Sequence, residues 1–264
     1  MYKHGFKYNL QWRFIFYNKS NEHGGIFADV ILTSPPYNTG RNCGEKGNKE
    51  KRLDNHETRY DIYLEKRNKN EYIEWTEEIF NAYDTILAEN GCILYNMSYG
   101  NENPTQMWLT IASIIENTNF TIADTIIWKK KTALPNNVSG NKLTRICEFV
   151  FVLCRKSEYK TFKSNKKVIS YSKRGQKIYE NIYNFVEARN NDGSCKINKA
   201  TYSTELCEKL LSIYAQNNSV IYDSFMGTGT TAVAALRLGH RYIGSELSEA
   251  QCKYAEERIK KEIA

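Results

Sequence analysis

Asp223-Ser224-Phe225-Met226-Gly227-Thr228-Gly229-Thr230-Thr231-Ala232 is the stretch on which the fold turns. The apolar run Val220 to Ser224 reads as a strand entering it, and Gly229 to Leu238 reads as a helix leaving it. Its Gly-x-Gly-x-x-Ala core lets the backbone approach a ligand closely at a helix amino terminus. The next strand, Tyr242 to Ser245, runs into Glu246, nineteen positions after Gly227, where an acidic residue can accept hydrogen bonds from ribose hydroxyls. Strand, turn, helix, strand and acid in this order predict a nucleotide-cofactor site. The plain alternative is a tight turn and a surface glutamate. No lysine follows the glycines, so a phosphate-cradling Walker loop is excluded.

Working outward, Ala28 to Thr33 is a second β-branched run, and it stops at Ser34-Pro35-Pro36-Tyr37-Asn38, where two prolines end any strand. The prolines remove two donors, leaving carbonyl oxygens and the Ser34 hydroxyl as acceptors beside an aromatic ring. An exocyclic amino group on a planar base needs that arrangement: acceptors hold its hydrogens while a ring stacks on the base. Residues 38–61 are polar and read as a long mobile loop. Apolar positions from Tyr72 to Leu87 fall on one helical face, with Asn90-Gly91 as the expected stop. Strands are expected at Cys92 to Met97, Thr121 to Trp128 and Ile146 to Cys154, and a helix between Thr105 and Glu116. A helix near Ser203 to Tyr214 precedes the cofactor turn, and Ser248-x-x-Gln251 reads as a capping box opening the last helix. Alternating β and α elements point to an open, mostly parallel sheet.

The chain has 264 residues, enough to bury roughly 75% of its unfolded surface, so one domain with an insertion is expected. Lys and Arg outnumber Asp and Glu 37 to 30, a charge of +7 that suits an anionic partner. Residues 155–199 hold twelve Lys or Arg against four Asp or Glu. Tyr159, Phe162, Tyr171, Tyr179, Tyr183 and Phe185 interleave with those cations, a mixture suited to phosphate contact and base stacking. Seven scattered cysteines without a Cys-x-x-Cys pair read as reduced thiols, and four isolated histidines offer no metal-ligand spacing, so no metal is expected. No apolar run approaches the ~20 residues of a membrane span, and Met1 to Lys19 has no secretory pattern, so a cytoplasmic location is expected.

Taken together, Ser34-Pro35-Pro36-Tyr37 and Phe225-x-Gly227-x-Gly229 resemble the DNA amino-methyltransferases, which modify adenine N6 or cytosine N4 with S-adenosylmethionine. The order of tetrapeptide, basic segment and cofactor turn is similar to the β class of that family, met in restriction-modification systems. The resemblance implies an α/β, Rossmann-like methyltransferase fold, a mostly parallel twisted sheet with helices on both faces and an inserted target-recognition lobe. It divides the chain into a catalytic half, 1–154, a recognition lobe, 155–199, and a cofactor half, 200–264. Ser34, Pro35, Pro36 and Tyr37 become the catalytic residues. The cofactor contacts become Asp223, Phe225, Met226, Gly227, Thr228, Gly229, Thr230, Thr231 and Glu246, with Thr201 and Ser203 touching the methionine end. Asn38, Arg41, Lys156, Lys163, Lys166, Lys167, Lys173, Arg174 and Lys177 become the DNA contacts.

The implied partner is double-stranded DNA, with a cognate restriction endonuclease as a family-level expectation and a monomeric or homodimeric state. This chain departs from the family pattern in Ser224, where proline is usual, and in Asn198-Lys199, which replace a frequent His-Pro; the usual Gly-Asp is not apparent in Tyr17 to Gly25. Ser34 is frequent among cytosine-N4 members and Asn38 among adenine members, so the base stays open. Cytosine C5 methylation would need a Pro-Cys dipeptide, and none of Pro35, Pro36, Pro104 or Pro135 precedes a cysteine. Two rivals remain. An NAD-linked oxidoreductase would use the same glycine turn, but normally at the start of its domain. A catalytically silent DNA-binding protein on the same scaffold would bind without methylating, and an RNA target is open too.

Overall fold

Each central strand feeds two cores, because successive side chains point to opposite faces of a sheet. In β2 (Ala28–Thr33), Val30 and Leu32 join one core and Ile31 the other. β3 (Leu87–Met97) divides Cys92 and Leu94 from Ile93, Tyr95 and Met97, and β5 (Cys147–Arg155) divides Val150 and Val152 from Phe151 and Leu153. Strands buried on both faces need helices on both faces. α1 (Lys69–Ile86) and α2 (Gln106–Asn117) cover one side; α3 (Thr204–Tyr214), α4 (Thr230–Arg237) and α5 (Glu249–Ile263) cover the other. The remaining strands are β1 (Arg13–Tyr17), β4 (Phe120–Lys130), β6 (Val168–Tyr171), β7 (Lys177–Tyr179), β8 (Phe185–Ala188), β9 (Val220–Asp223) and β10 (Arg241–Glu246). The structure, a computed structural model, describes residues 13–17, 27–38, 67–100, 103–133, 135, 137, 140–193, 198 and 201–263.

The main sheet has the order β1-β10-β9-β2-β3-β5-β4-β8. β10, β9, β2 and β3 run parallel, β5 is antiparallel to both neighbours, β8 runs parallel to β4, and β1 adds an antiparallel edge. The mostly parallel α/β sheet expected from the sequence is therefore present. β2 proceeds through α1 to β3 on one side, while β9 proceeds through α4 to β10 on the other. The winding direction reverses between β9 and β2, and ligands in such sheets bind outside the carboxyl ends of the strands at that reversal. Both sequence motifs emerge there.

Three local expectations are corrected. α1 opens at an Asn68 cap whose capping box with Glu71 is complete, but it ends at Ile86, and β3 begins at once. Asn90-Gly91 is thus an irregularity inside β3 rather than a helix stop: Asn90 has φ +56°, and a Cβ on Gly91 would lie 2.9 Å from the Asp29 carbonyl. The capping box of α5 is rewired: Ser248 Oγ accepts from the Gln251 amide, while the Gln251 side chain accepts from Asn198 and the Ser248 N–H donates to Glu246. Segment 155–199 is not wholly an inserted lobe, because Phe185–Ala188 pairs with β4 and buries Val186 and Ala188 in the core. The two-stranded β6–β7 hairpin is what stands apart.

Candidate active site

Thr33 ends β2 and Asp223 ends the adjacent β9, so their side chains meet: Thr33 Oγ1 donates to Asp223 Oδ1 at 2.7 Å. Asp223 is 2% exposed and also accepts from the Phe225 amide at 3.0 Å, Thr231 Oγ1 at 2.5 Å and Tyr202 OH at 3.0 Å. Four donors converge on one carboxylate and tie the tetrapeptide strand, the glycine turn and the segment before α3 into one unit. Hydrogen bonds to a charged group are worth about 1.5–3 kcal/mol each. Burial pushes the Asp223 carboxyl above its ordinary value, and Thr231, Thr33, Phe225 and Tyr202 pull it back. Ser224 is accounted for here, since its buried hydroxyl meets Tyr83 OH and Thr33 Oγ1, bonds that a proline could not make.

Of the expected cofactor contacts, the structure gathers the glycine turn and Glu246 and assigns several others to packing. Gly227 has φ +52°, and Glu246 Oε2 accepts its amide at 2.8 Å. Glu246 Oε1 takes the Leu247 and Ser248 amides, leaving one acceptor direction on Oε2. Burial raises the Glu246 carboxyl, against the pull of the Ser248, Gly227 and Leu247 amides. Thr228 is buried, and its Oγ1 has no hydrogen-bond partner among the described residues. Met226 lies under Gly244, where a Cβ would fall 1.9 Å from its sulfur, and Phe225 packs edge-on against Trp75 at 5.6 Å.

Gly229 faces Ala255 of α5, with a Cβ-to-Cβ distance of 3.0 Å if it carried a methyl. Thr230 Oγ1 accepts from Arg258, and Thr231 is bound to Asp223 and Tyr202. Ser203 caps α3 through the Leu206 amide and donates to the Arg189 carbonyl, so its hydroxyl is engaged by the fold. Thr201 is half-buried ahead of it.

The tetrapeptide is held from three sides. Both prolines are buried, and Tyr72 OH donates to the Pro36 carbonyl at 2.7 Å, leaving the Pro35 carbonyl with no donor among the described residues. Ser34 Oγ lies 3.0 Å from Tyr37 OH, which in turn donates to Glu148 Oε2 at 3.1 Å. Asn38 is positioned otherwise than expected. At φ +53° it pairs both ends of its amide with the Arg67 peptide, so its side chain is engaged by the fold rather than offered to DNA. Arg41 and nearly all of the expected 38–61 loop lie outside the described residues.

The expected basic DNA contacts divide. Lys156 donates to the Thr118 carbonyl beside the start of β4, just past the end of β5, whose run from Glu148 to Arg155 is roughly 23 Å of strand. It sits at the amino edge of the sheet, opposite the tetrapeptide, and is corrected to a structural residue. The hairpin is rooted at that same edge, through Asn165 to the Ile213 carbonyl and the Phe162–Tyr214 stack at 6.0 Å. Lys163, Lys166, Lys167, Lys173, Arg174 and Lys177 form no ion pair among the described residues. On the catalytic edge a 430 Å³ cleft is lined by Tyr99, Lys142, Arg145, Cys147 and Phe149, and the Arg145 guanidinium lies 5.1 Å from the Tyr99 ring centre.

The sequence reading missed Thr33, Tyr72, Asn96, Lys130, Glu148 and Tyr202. Asn96 and Glu148 carried a usable signal, each a polar residue breaking an apolar strand at its catalytic end. Among the described residues there is no cluster of three metal-ligating side chains, and no helix is long and apolar enough to cross a membrane.

Comparison with known proteins bears on this geometry. The profile of the DNA methylase family N6_N4_Mtase matches residues 28–257. The type II methyltransferase M.BglII of Bacillus subtilis is 24% identical over 241 residues, covering 84% of this chain and 61% of that protein. M.HinfI of Haemophilus influenzae is 26% identical, covering 88% and 63%, so this chain spans about three fifths of either relative. The crystal structure of an M1.HpyAVI–SAM complex shares the fold with a TM-score of 0.58 at 22% identity over 89% of each chain. With the profile running from β2 into α5 across both motif-bearing loops, the chain belongs to the N6/N4 DNA methylase family.

Proposed function

We propose that this chain transfers the methyl group of S-adenosylmethionine to the exocyclic amino group of a base in duplex DNA, adenine N6 or cytosine N4. The observation that carries the reading is the Thr33–Asp223 bond across the reversal of the sheet, which holds an amino-accepting tetrapeptide beside a glycine-rich cofactor turn. The type II methyltransferases among its relatives and the SAM complex among the similar structures support it.

The turn suits this cofactor on charge. Asp223 and Glu246 are both raised by burial, and neither has an ion-pair partner among the described residues. A sulfonium bearing an ammonium group complements that field, whereas the diphosphate of a dinucleotide would be repelled by it. Glu246 would hold the ribose hydroxyls, Gly227 and Thr228 would line the turn, and Phe225 and Thr201 would flank it. Bound there, S-adenosylmethionine supplies an electrophilic methyl group.

The chain's own residues do the rest. The target base leaves the stack, at a cost of a few kcal/mol, and lies on the Tyr37 ring. Ser34 Oγ and the Pro35 carbonyl accept the amino hydrogens, which turns the nitrogen lone pair outward for in-line displacement. Lys142 and Arg145 on the catalytic edge contact the phosphates flanking that base, while the hairpin cations add affinity through phosphates they touch themselves, since charges are screened within about 8 Å.

The test is methyl transfer from labelled S-adenosylmethionine to unmethylated duplex DNA, with the product digested and its nucleosides separated. N6-methyladenine or N4-methylcytosine is expected, and whichever appears names the base. No incorporation by protein that binds the cofactor would overturn the reading in favour of an RNA target or a silent DNA-binding scaffold. Binding of NAD in preference to S-adenosylmethionine would overturn it in favour of hydride chemistry.

A further inference from the structure

The reaction as outlined gives no role to Asn96, Lys130, Glu148 or the hydroxyl of Tyr37, yet these form one connected cluster around Ser34. Lys130 Nζ lies 2.5 Å from Glu148 Oε1. Glu148 Oε2 accepts from Tyr37 OH at 3.1 Å and from Asn96 Nδ2 at 3.1 Å. Asn96 Nδ2 also donates to Tyr37 OH and lies 3.4 Å from Ser34 Oγ. Asn96 is 1% exposed, and its Oδ1 has no hydrogen-bond partner among the described residues.

The proton directions follow from what each group can do. A carboxylate paired with an ammonium only accepts, so Tyr37 gives it its single proton. The Tyr37 oxygen is then left with lone pairs alone, and the hydrogen it shares with Ser34 must be the serine's. Having donated inward, Ser34 Oγ presents only lone pairs to the space beyond. Asn96 commits Nδ2 to Glu148 and Tyr37, and so braces the phenol oxygen through a donor already engaged.

We propose that Lys130 and Glu148 are positioning residues: through the Tyr37 hydroxyl they hold Ser34 in an acceptor-only state, which admits a base edge bearing an amino group and rejects one bearing a carbonyl. The proposal deepens the amino-methylation reading and rests on it. It adds a specificity device, because a keto oxygen placed where the amine belongs would meet the lone pairs of Ser34 Oγ and of the Pro35 carbonyl.

Glu148→Gln tests it. Glutamine has one side-chain oxygen, for which Lys130 and Tyr37 compete. With Lys130 holding it, the amide nitrogen donates to Tyr37, the phenol proton turns to Ser34, and the serine proton points outward as a donor. The expected result is a loss of kcat of about tenfold or more, with KM for DNA and for cofactor within about twofold. Adding Lys130→Met removes the competitor and should recover about threefold or more of that loss. In a Tyr37→Phe background, where the relaying hydroxyl is gone, Glu148→Gln should cost less than about twofold. Wild-type kcat in Glu148→Gln, or a full loss persisting in the Tyr37→Phe background, would overturn the proposal.

A readout independent of turnover is the 13C resonance of Tyr37 Cζ in tyrosine-labelled protein, assigned by Tyr37→Phe. It should move in Glu148→Gln and return part-way with Lys130→Met, and an unmoved resonance would refute the relay. A wild-type protein that transfers no methyl would instead count against the amino-methylation reading, leaving the resonance to decide the relay.

Discussion

Gly229→Ala should destabilise the fold rather than damage a ligand contact. Gly229 caps α4 at φ +81°, ψ 22°, in the left-handed region, where a residue with a Cβ costs about 1–2 kcal/mol more than glycine. Its new methyl would lie 3.0 Å from Ala255 Cβ and 3.3 Å from Ala255 Cα, atoms of a packed helix that cannot swing away. Overpacking of this kind costs about 1–3 kcal/mol. The sum, about 2–5 kcal/mol, is a large share of a typical domain stability of about 5–15 kcal/mol. Urea unfolding of the wild type, Gly229→Ala, Ala255→Gly and the double variant separates the two terms. Ala255→Gly alone should cost about 1 kcal/mol as a helical glycine, but in the double variant it removes the nearest clash. A favourable coupling energy of about 1–2 kcal/mol is expected, with the backbone strain left behind. A wild-type midpoint for Gly229→Ala, or no coupling, would refute the reasoning. Loss of cofactor affinity at undiminished stability would place Gly229 against the ligand instead.

Tyr37→Ala removes the ring on which the base is proposed to rest and should lower turnover by about 100-fold or more while DNA affinity, measured by gel shift, changes little; full turnover would remove Tyr37 from the reaction. Glu246→Gln sets an amide nitrogen against the Gly227, Leu247 or Ser248 amides and should weaken cofactor binding in calorimetry by about tenfold or more, since an orphaned buried donor costs about 1–3 kcal/mol. Lys131 first, then the Arg189 amide and Lys209, hold Glu205 down at about 2 against an ordinary value of 4.5. A depressed carboxylate contributes stability that is full above 4.5 and lost as pH falls toward about 2. Glu205→Gln should therefore lower stability at neutral pH and flatten its decline across that acid range; an unchanged acid limb in urea titrations would sink the assignment.

Much of the fold was legible in one dimension because its signals are local. Two-sided apolar runs such as Ile93 to Met97 and Val150 to Cys154, helical spacing from Tyr72 onward, and the strand–turn–helix around Gly227 each need only neighbours in sequence to be read. Asn90-Gly91 misled because a left-handed asparagine and a glycine serve a strand irregularity as well as a helix end. Local charge misled in a different way. The cations of 155–180 cluster in the sequence, but β5 is antiparallel, so it carries the chain away from the tetrapeptide to the opposite edge of the sheet.

Sequence by itself determined the chemistry on offer: an acceptor tetrapeptide after one strand, a glycine turn and an acid after two others, and a basic balance that suits an anionic partner. Tertiary structure decided which of those residues hold the frame. Asp223, Gly229, Ser203 and Asn38 all look like site residues in the sequence, yet their partners are Thr33, Ala255, the Arg189 carbonyl and the Arg67 peptide. Asn96 and Glu148 look like interruptions of a strand, yet β3 and β5 bring them to Tyr37. The physical reason is one of range: propensity and periodicity act over a few residues, whereas a hydrogen bond between Thr33 and Asp223 spans 190 positions and exists only once the sheet has closed around the reversal of its strands.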